Sequence, residues 1–340
     1  MVSSISAILG FLITFLLGFV FIPYLKKLHF GQTILEIGPA WHKEKQGTPI
    51  MGGLMFIVGT IVSSLVAFVI AYFVYGMEFS IGFFYDQRGI IRTIAGVVMA
   101  LLMAFIGFMD DYIKAVKKQN LGLKARQKTF MQLLVAAAYL LTLYLTGMYN
   151  TVIPFVGEVS IVSGLGLAFW PIALVFIYGF TNAVNLTDGV DGLASSVTIV
   201  VSLFFMLVSG ITKGIAGSII PAALCGALIG FLVWNLHPAK VFMGDTGSMF
   251  LGGMVVAFSF AINCPIILIL AGVLYLIEAL SVVIQVAYFK LTGGKRLFKM
   301  SPIHHHFELC NWKENKIVIV FSIISAVGCI LAFLLINTVY

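Results

Sequence analysis

The chain has 340 residues, 61% of them apolar and only 10% charged, with a formal net charge of +7. Soluble domains carry about 25% charged residues, so this composition excludes an ordinary soluble protein and places most of the chain in lipid. Four cysteines, Cys225, Cys264, Cys310 and Cys329, lie far apart with no CxxC pair, which indicates neither a disulfide framework nor a zinc site.

A membrane span needs about 20 apolar residues. In chain order, long apolar runs predict ten helices, near 4–25, 51–74, 91–109, 130–147, 168–184, 193–210, 218–236, 247–263, 266–289 and 317–337. The first is too long for a signal-peptide core and lacks a basic leader and a cleavage site, so it reads as a retained helix. The second is entered through Gly38-Pro-Ala-Trp-His42-Lys-Glu-Lys45-Gln-Gly-Thr48-Pro-Ile-Met-Gly52-Gly53, glycine-flexible and basic. The third ends on Phe108-Met-Asp110-Asp111-Tyr-Ile-Lys114, followed by Lys117 and Lys118. Two aspartates at a helix C-terminus oppose its dipole unless a cation is near. Neighbouring helical residues diverge by about 100°, so the two acids need not share one ligand. After the fourth helix, two short β-prone runs about Gly157 predict a small hairpin.

Helices five and six are joined by Asn182-Ala-Val-Asn185-Leu-Thr-Asp188-Gly189-Val-Asp191-Gly-Leu-Ala. Asp191 suits the N-cap of helix six, yet two asparagines and two aspartates at a membrane boundary exceed what one cap requires. The eighth helix follows Trp234-Asn235-Leu-His237-Pro-Ala-Lys240-Val-Phe242-Met-Gly244-Asp245-Thr-Gly-Ser248. Its Gly-Asp-Thr-Gly-Ser end offers a carboxylate, two hydroxyls and flexible N–H groups ahead of a helix N-terminus, the composition of a metal or phosphate station without P-loop spacing. Glu278 sits midway along the ninth helix, where an acid must be paired, protonated or cavity-facing. Ser301-Pro-Ile-His304-His305-His306-Phe-Glu308 lacks the i,i+4 spacing of a helical zinc site; such histidines suit hydrogen bonds to phosphate or carboxylate.

The basic residues sort by side. All fall in the loops after odd-numbered helices except Arg88, Arg92 and Lys213. Positive residues stay inside, so the loops near 26–50, 110–129, 185–192, 237–246 and 290–316 are expected to be cytoplasmic and both termini extracytoplasmic. The charge is thus a topology signal, and no nucleic acid is expected as a partner. All six histidines and every aspartate but Asp86 fall on that same side. The expected fold is all-α, a polytopic integral membrane protein of about ten transmembrane helices forming a single transmembrane catalytic domain, with its chemistry at the cytoplasmic face. Aspartate oxygens suit Mg²⁺, which takes one or two carboxylates plus substrate phosphates. Phosphoryl transfer needs little beyond positioning, charge neutralisation and an in-line nucleophile. The economical reading is transfer of a phosphorylated group from a soluble nucleotide to a lipid acceptor at the membrane edge.

Phe108-Met-Asp-Asp, Asn182 to Ala194, Ala239-Lys-Val-Phe-Met-Gly-Asp-Thr-Gly-Ser and Pro302-Ile-His-His-His-Phe-Glu resemble the motifs of the polyprenyl-phosphate N-acetylhexosamine-1-phosphate transferases. Within that family, Gly38-Pro-x-x-His-x-x-Lys, Gly47-Thr-Pro-x-Met-Gly-Gly and the uninterrupted histidine triplet resemble the bacterial muramoyl-pentapeptide branch. Ile50 departs from the second threonine usual in its Thr-Pro-Thr. The resemblance covers the chain in order. It implies transfer from UDP-N-acetylmuramoyl-pentapeptide to undecaprenyl phosphate, giving lipid I and UMP, with Mg²⁺, at the cytoplasmic face of the bacterial inner membrane, often in a homodimer. Carried over by motif, Asp245 resembles the Mg²⁺ ligand, and Asp110 and Asp111 the catalytic acids. Asn185, Asp188, Gly189, Asp191, Asn235 and Phe242 resemble nucleotide-contacting positions, and Lys45, Lys114 and Lys118 the diphosphate-neutralising lysines. His304 and His305, with His306, resemble substrate-orienting histidines. A sister transferase using UDP-N-acetylglucosamine is the near alternative. A secondary transporter is the distant one; it would call for inverted repeats, and the sequence has none.

Overall fold

The computed structural model describes residues 1–28, 47–85, 87–117 and 122–338. Its helices are α1 (Val2–Lys27), α2 (Gly53–Tyr85), α3 (Gln87–Lys117), α4 (Ala125–Leu145), α5 (Phe169–Thr187), α6 (Leu193–Asn235), α7 (Gly244–Ala261), α8 (Leu268–Ala271), α9 (Val273–Leu291), α10 (Ile303–Glu308) and α11 (Glu314–Ile336). Among the described residues, nine helical segments are long and apolar enough to cross a membrane. The chain is a multi-pass all-α membrane protein.

Two of the expected spans belong to the single run α6, whose segments Leu193–Thr212 and Gly217–Asn235 are each long and apolar enough to cross. A straight helix would separate Gly210 and Ser218 by about 12 Å. A Cβ on Gly210 would instead lie 3.7 Å from the Ser218 side chain, so the run doubles back between them. The second arm of α6 then lies parallel to α1: Ser3 meets Ser218 at one end, and Phe15 stacks on Trp234 at the other.

The expected eighth span is α7, the hub of the bundle. It is not among the nine, yet every residue from Thr246 to Phe260 is buried. Gly252 faces Thr181 of α5, and Gly253 faces Ala100 of α3, so closely that a Cβ at either would press on the neighbour's backbone. In lipid, where apolar burial does not drive helices together, such small-residue contacts set close packing.

The expected ninth span is broken. Pro265–Ile267 forms a 3₁₀ turn, α8 adds four residues, and Gly272 leaves helical geometry (φ −101°, ψ 23°) before α9 begins. Only one face of α9, carrying Leu274, Tyr275, Glu278, Ser281 and Gln285, is buried. The hairpin is present: β1 (Asn150–Ile153) pairs antiparallel with β2 (Gly157–Ser160), Val152 opposite Glu158. It docks where Val152 N–H donates to Asn263 O, beyond the end of α7 remote from Asp245. Ser3 of α1 also lies at that remote end, with the turn of α6, and α11 runs towards it from Glu314, which sits beside Asp191.

Candidate active site

Four helices converge at the first turn of α7. Helix α3 does not stop at its aspartates, as the sequence pattern implied, but runs seven residues past Asp110 to Lys117. The acids therefore avoid the negative helix end, and Lys114, one turn on, pairs with Asp110. Asp111 turns towards α7. Its Oδ1 accepts the Asp245 N–H at 3.1 Å, and its Oδ2 accepts the Thr246 N–H at 2.9 Å and hydroxyl at 2.7 Å. It thus caps a helix N-terminus from another helix, satisfying N–H groups that have no intrahelical partner. Asp110 Oδ1 accepts the Leu123 N–H at 2.7 Å, holding the chain as it enters α4.

Asp245 is the most open of the three acids, its side chain 19% exposed. Oδ1 accepts from Asn185 of α5 at 2.9 Å, and the same amide reaches Ser248 Oγ at 2.8 Å. Oδ2 faces Lys128 Nζ of α4 at 2.7 Å and Lys114 Nζ at 3.3 Å. Oxygens of Asp110, Asp111 and Asp245 lie within 4.8 Å of one another. Three carboxyl groups and two lysines meet there, and the carboxyl oxygens are hard donors. That donor set fits Mg²⁺, and Asp245 is the most accessible of its carboxyl groups.

The loop ahead of α7 is clasped by the backbone of the Gly47–Gly53 motif. Phe242 N–H donates to Pro49 O at 2.9 Å, Gly52 N–H to Phe242 O at 2.8 Å and Gly53 N–H to Met243 O at 3.0 Å. Phe242 itself is half-buried, and Ile50 is buried.

A second cluster gathers around Asp191, in the turn that joins α5 to α6. Asp191 does not cap α6, whose N-cap is Gly192 with φ +78°. Its Oδ2 accepts from Ala239 N–H at 3.0 Å and faces His237 Nδ1 at 3.1 Å, while its own N–H donates to Glu314 Oε2 at 3.1 Å. Asn235 is buried and spends its amide inside, accepting from Gly192 N–H and Ser195 and donating to Val241 O. In α10, His304 is sealed from solvent and faces Glu278 Oε2 at 3.0 Å; His305 faces Glu308 Oε2 at 2.6 Å; His306 Nδ1 accepts the Lys299 N–H. Glu278 is therefore a paired acid.

The family model "Glycosyl transferase family 4" matches residues 93–263, the stretch from α3 through α7. The chain is 43% identical over 326 residues to the phospho-N-acetylmuramoyl-pentapeptide-transferase of Clostridium beijerinckii, covering 96% of this chain and 94% of that one. It is 44% identical to the proteins of that name from Clostridioides difficile (95% and 94% covered) and Acetivibrio thermocellus (96% and 93%). The chain belongs to the phospho-N-acetylmuramoyl-pentapeptide-transferase family.

Of the positions singled out from the family's motifs, Asp110, Asp111, Lys114, Asn185 and Asp245 come together in one site. Asp191 and Asn235 sit in the second cluster, with Asp188 and Gly189 on the turn between. Lys45, Lys118 and Asp86 lie outside the described residues. Lys128 escaped the motif reading although it touches the site; Thr246, one of the two hydroxyls of the Gly-Asp-Thr-Gly-Ser run, serves Asp111 there. Lys128 looked like one more topology lysine; its distinguishing mark is its place one turn inside α4 rather than in the loop.

Proposed function

We propose that this chain transfers phospho-N-acetylmuramoyl-pentapeptide from its UDP-linked donor to undecaprenyl phosphate, giving lipid I and UMP, from the cytoplasmic face of the bacterial inner membrane. The observation that carries the reading is the Asp245 site: three carboxylates and two lysines at one end of a membrane bundle. A charged nucleotide-sugar and a lipid phosphate can meet only at such an edge. The near full-length likeness to transferases of that name supports the substrate.

Bound at Asp245 with help from Asp110, Mg²⁺ would neutralise the donor's diphosphate. Asn185 and Ser248 orient the Asp245 carboxylate. Lys114 and Lys128 swing from Asp245 to the phosphate oxygens. Asp110, paired with Lys114, orients the lipid phosphate. An oxygen of that phosphate bonds to the sugar-linked phosphorus as the bond from this phosphorus to the bridging oxygen breaks, and UMP leaves with that oxygen. Asp111 holds the α7 N-terminus in place throughout. The basic loops at the Asp245 end support the cytoplasmic placement of the site, with both termini extracytoplasmic. The same reading takes the chain as one catalytic unit working as a homodimer.

Purified protein in lipid nanodiscs, given undecaprenyl phosphate and either UDP-N-acetylmuramoyl-pentapeptide or UDP-N-acetylglucosamine, should release UMP with the first donor only. EDTA should stop the release and Mg²⁺ restore it. Release with the N-acetylglucosamine donor alone would move the chain to the sister activity.

A further inference from the structure

The three histidines of α10 follow one another at about 100° steps, so each faces a different way. His304 faces inward and, like Glu278 of α9, is inaccessible to solvent. The ring presents Nδ1 to Glu278 Oε2 at 3.0 Å and turns its other nitrogen, Nε2, against Gly189, where any Cβ would overlap the ring. Neither His304 Nε2 nor Glu278 Oε1 has a hydrogen-bond partner among the described residues. A sealed acid–imidazole pair with two unmatched polar atoms is a poor way to fill space; an apolar pair would pack there at lower cost.

What the pair touches explains its presence. Gly189 lies in the short turn that joins α5 to α6. Just ahead of that turn, in the last turn of α5, Asn185 donates to Asp245 and Ser248, and within it the Asp191 N–H donates to Glu314. The turn rests on the His304 ring through the missing side chain of Gly189. We propose that Glu278 is a positioning residue: by accepting Nδ1–H it fixes the His304 ring as a wedge beneath Gly189, which seats the turn that carries Asp188 for contact with the donor's nucleoside and steadies the end of α5 that holds Asn185 on Asp245. The ligand named here rests on the transferase reading; the wedge rests on geometry alone. A histidine held through one nitrogen has its tautomer and ring plane set by that bond.

The test uses full-length protein in nanodiscs, with UDP affinity by calorimetry, donor KM and kcat from UMP release, and thermal unfolding. Glu278→Gln keeps the shape but leaves an amide that can bond either ring tautomer. It should weaken UDP binding and raise donor KM about 10-fold with a smaller change in kcat, while the unfolding temperature holds or rises. Gly189→Ala should lose more, in binding and in unfolding temperature alike. The double variant Gly189→Ala/His304→Asn should recover much of both losses, because Asn vacates the ring's space and still offers Glu278 an N–H. Glu278→Gln with wild-type UDP affinity and donor KM overturns the proposal, as does a double variant no more stable than Gly189→Ala. Wild-type protein that binds no UDP and releases no UMP overturns the transferase reading; the unfolding temperatures of the Gly189 and His304 variants still decide the wedge.

Discussion

The site at the start of α7 and the histidine cluster of α10 are built from the same kinds of group, yet they are matched in opposite ways. Around Asp245, three acids face two lysines, the charges are shared three ways, and the least buried carboxylate lies at the open side. On α10 each histidine near an acid has an acid of its own, Glu278 for His304 and Glu308 for His305, and both acids are sealed. Incomplete matching with an open side is what a ligand-binding site needs, because incoming charge completes it. One-to-one matching in a sealed place fixes geometry and leaves nothing for a ligand to do. At the edge of a membrane bundle, the count and the exposure of charged groups are therefore more informative than their identity.

The sharpest way to break that contrast is to neutralise one acid of each sort within the open site. Asp245→Asn should lower turnover at least about 100-fold, comparable to removing a principal electrostatic group from an active site. Unfolding temperature should change little, since Asn185 and the lysines remain partly solvated. A variant keeping near-normal turnover with Mg²⁺ removes Asp245 from the metal. Asp111→Asn should behave differently. Three donors point at its two oxygens, and an amide presents one of them with an N–H instead of an acceptor. Leaving a buried donor unmatched costs about 1–3 kcal/mol, so this variant should lose stability and activity together. Equal stability of the two variants would mean that Asp111 is not the cap of α7.

A smaller effect separates the lysines. Lys128→Met should raise donor KM about 10-fold, one charge-assisted contact being worth about 1.5–3 kcal/mol, with kcat less affected. If kcat falls instead and KM holds, Lys128 acts on the transition state rather than on donor binding.

The spans were legible because twenty apolar residues in a row have few other homes, and the acid-rich face was legible because carboxylates beside hydrocarbon need a reason. The break at Gly272 was not, since an apolar run keeps its composition across a non-helical residue. Nor was the turn within α6 visible as part of one helical run. In the site, Asp245 announced itself through Gly-Asp-Thr-Gly-Ser. Its partner Lys128 lies 117 residues away, and only the packing of α4 against α3 and α7 brings the two to 2.7 Å. Glu278 stood out as an intramembrane acid that had to be paired, protonated or cavity-facing, and the sequence did not choose among these. Which of the three histidines would pair with it depended on the rotation of a six-residue helix, and no spacing rule fixes that.

The smallest expected effect concerns Ile50, where the family's motif usually carries a second threonine. If that hydroxyl had chemical work, a chain with isoleucine would lack it. Here the motif acts through its backbone: Pro49 O accepts from Phe242 N–H, and Gly52 N–H donates back to Phe242 O, clasping the loop that leads to Asp245. The Ile50 side chain, buried beside that clasp, fills space. Ile50→Thr should thus cost about 1–2 kcal/mol of stability from lost volume and a buried hydroxyl, lowering the unfolding temperature by a few degrees. UMP release and Mg²⁺ dependence should stay within about twofold of the parent, far below the one-charge effect expected of Lys128. A several-fold gain in turnover would instead give the hydroxyl a part in the reaction, and would extend the open site beyond its carboxylates and lysines to the clasp that holds its loop.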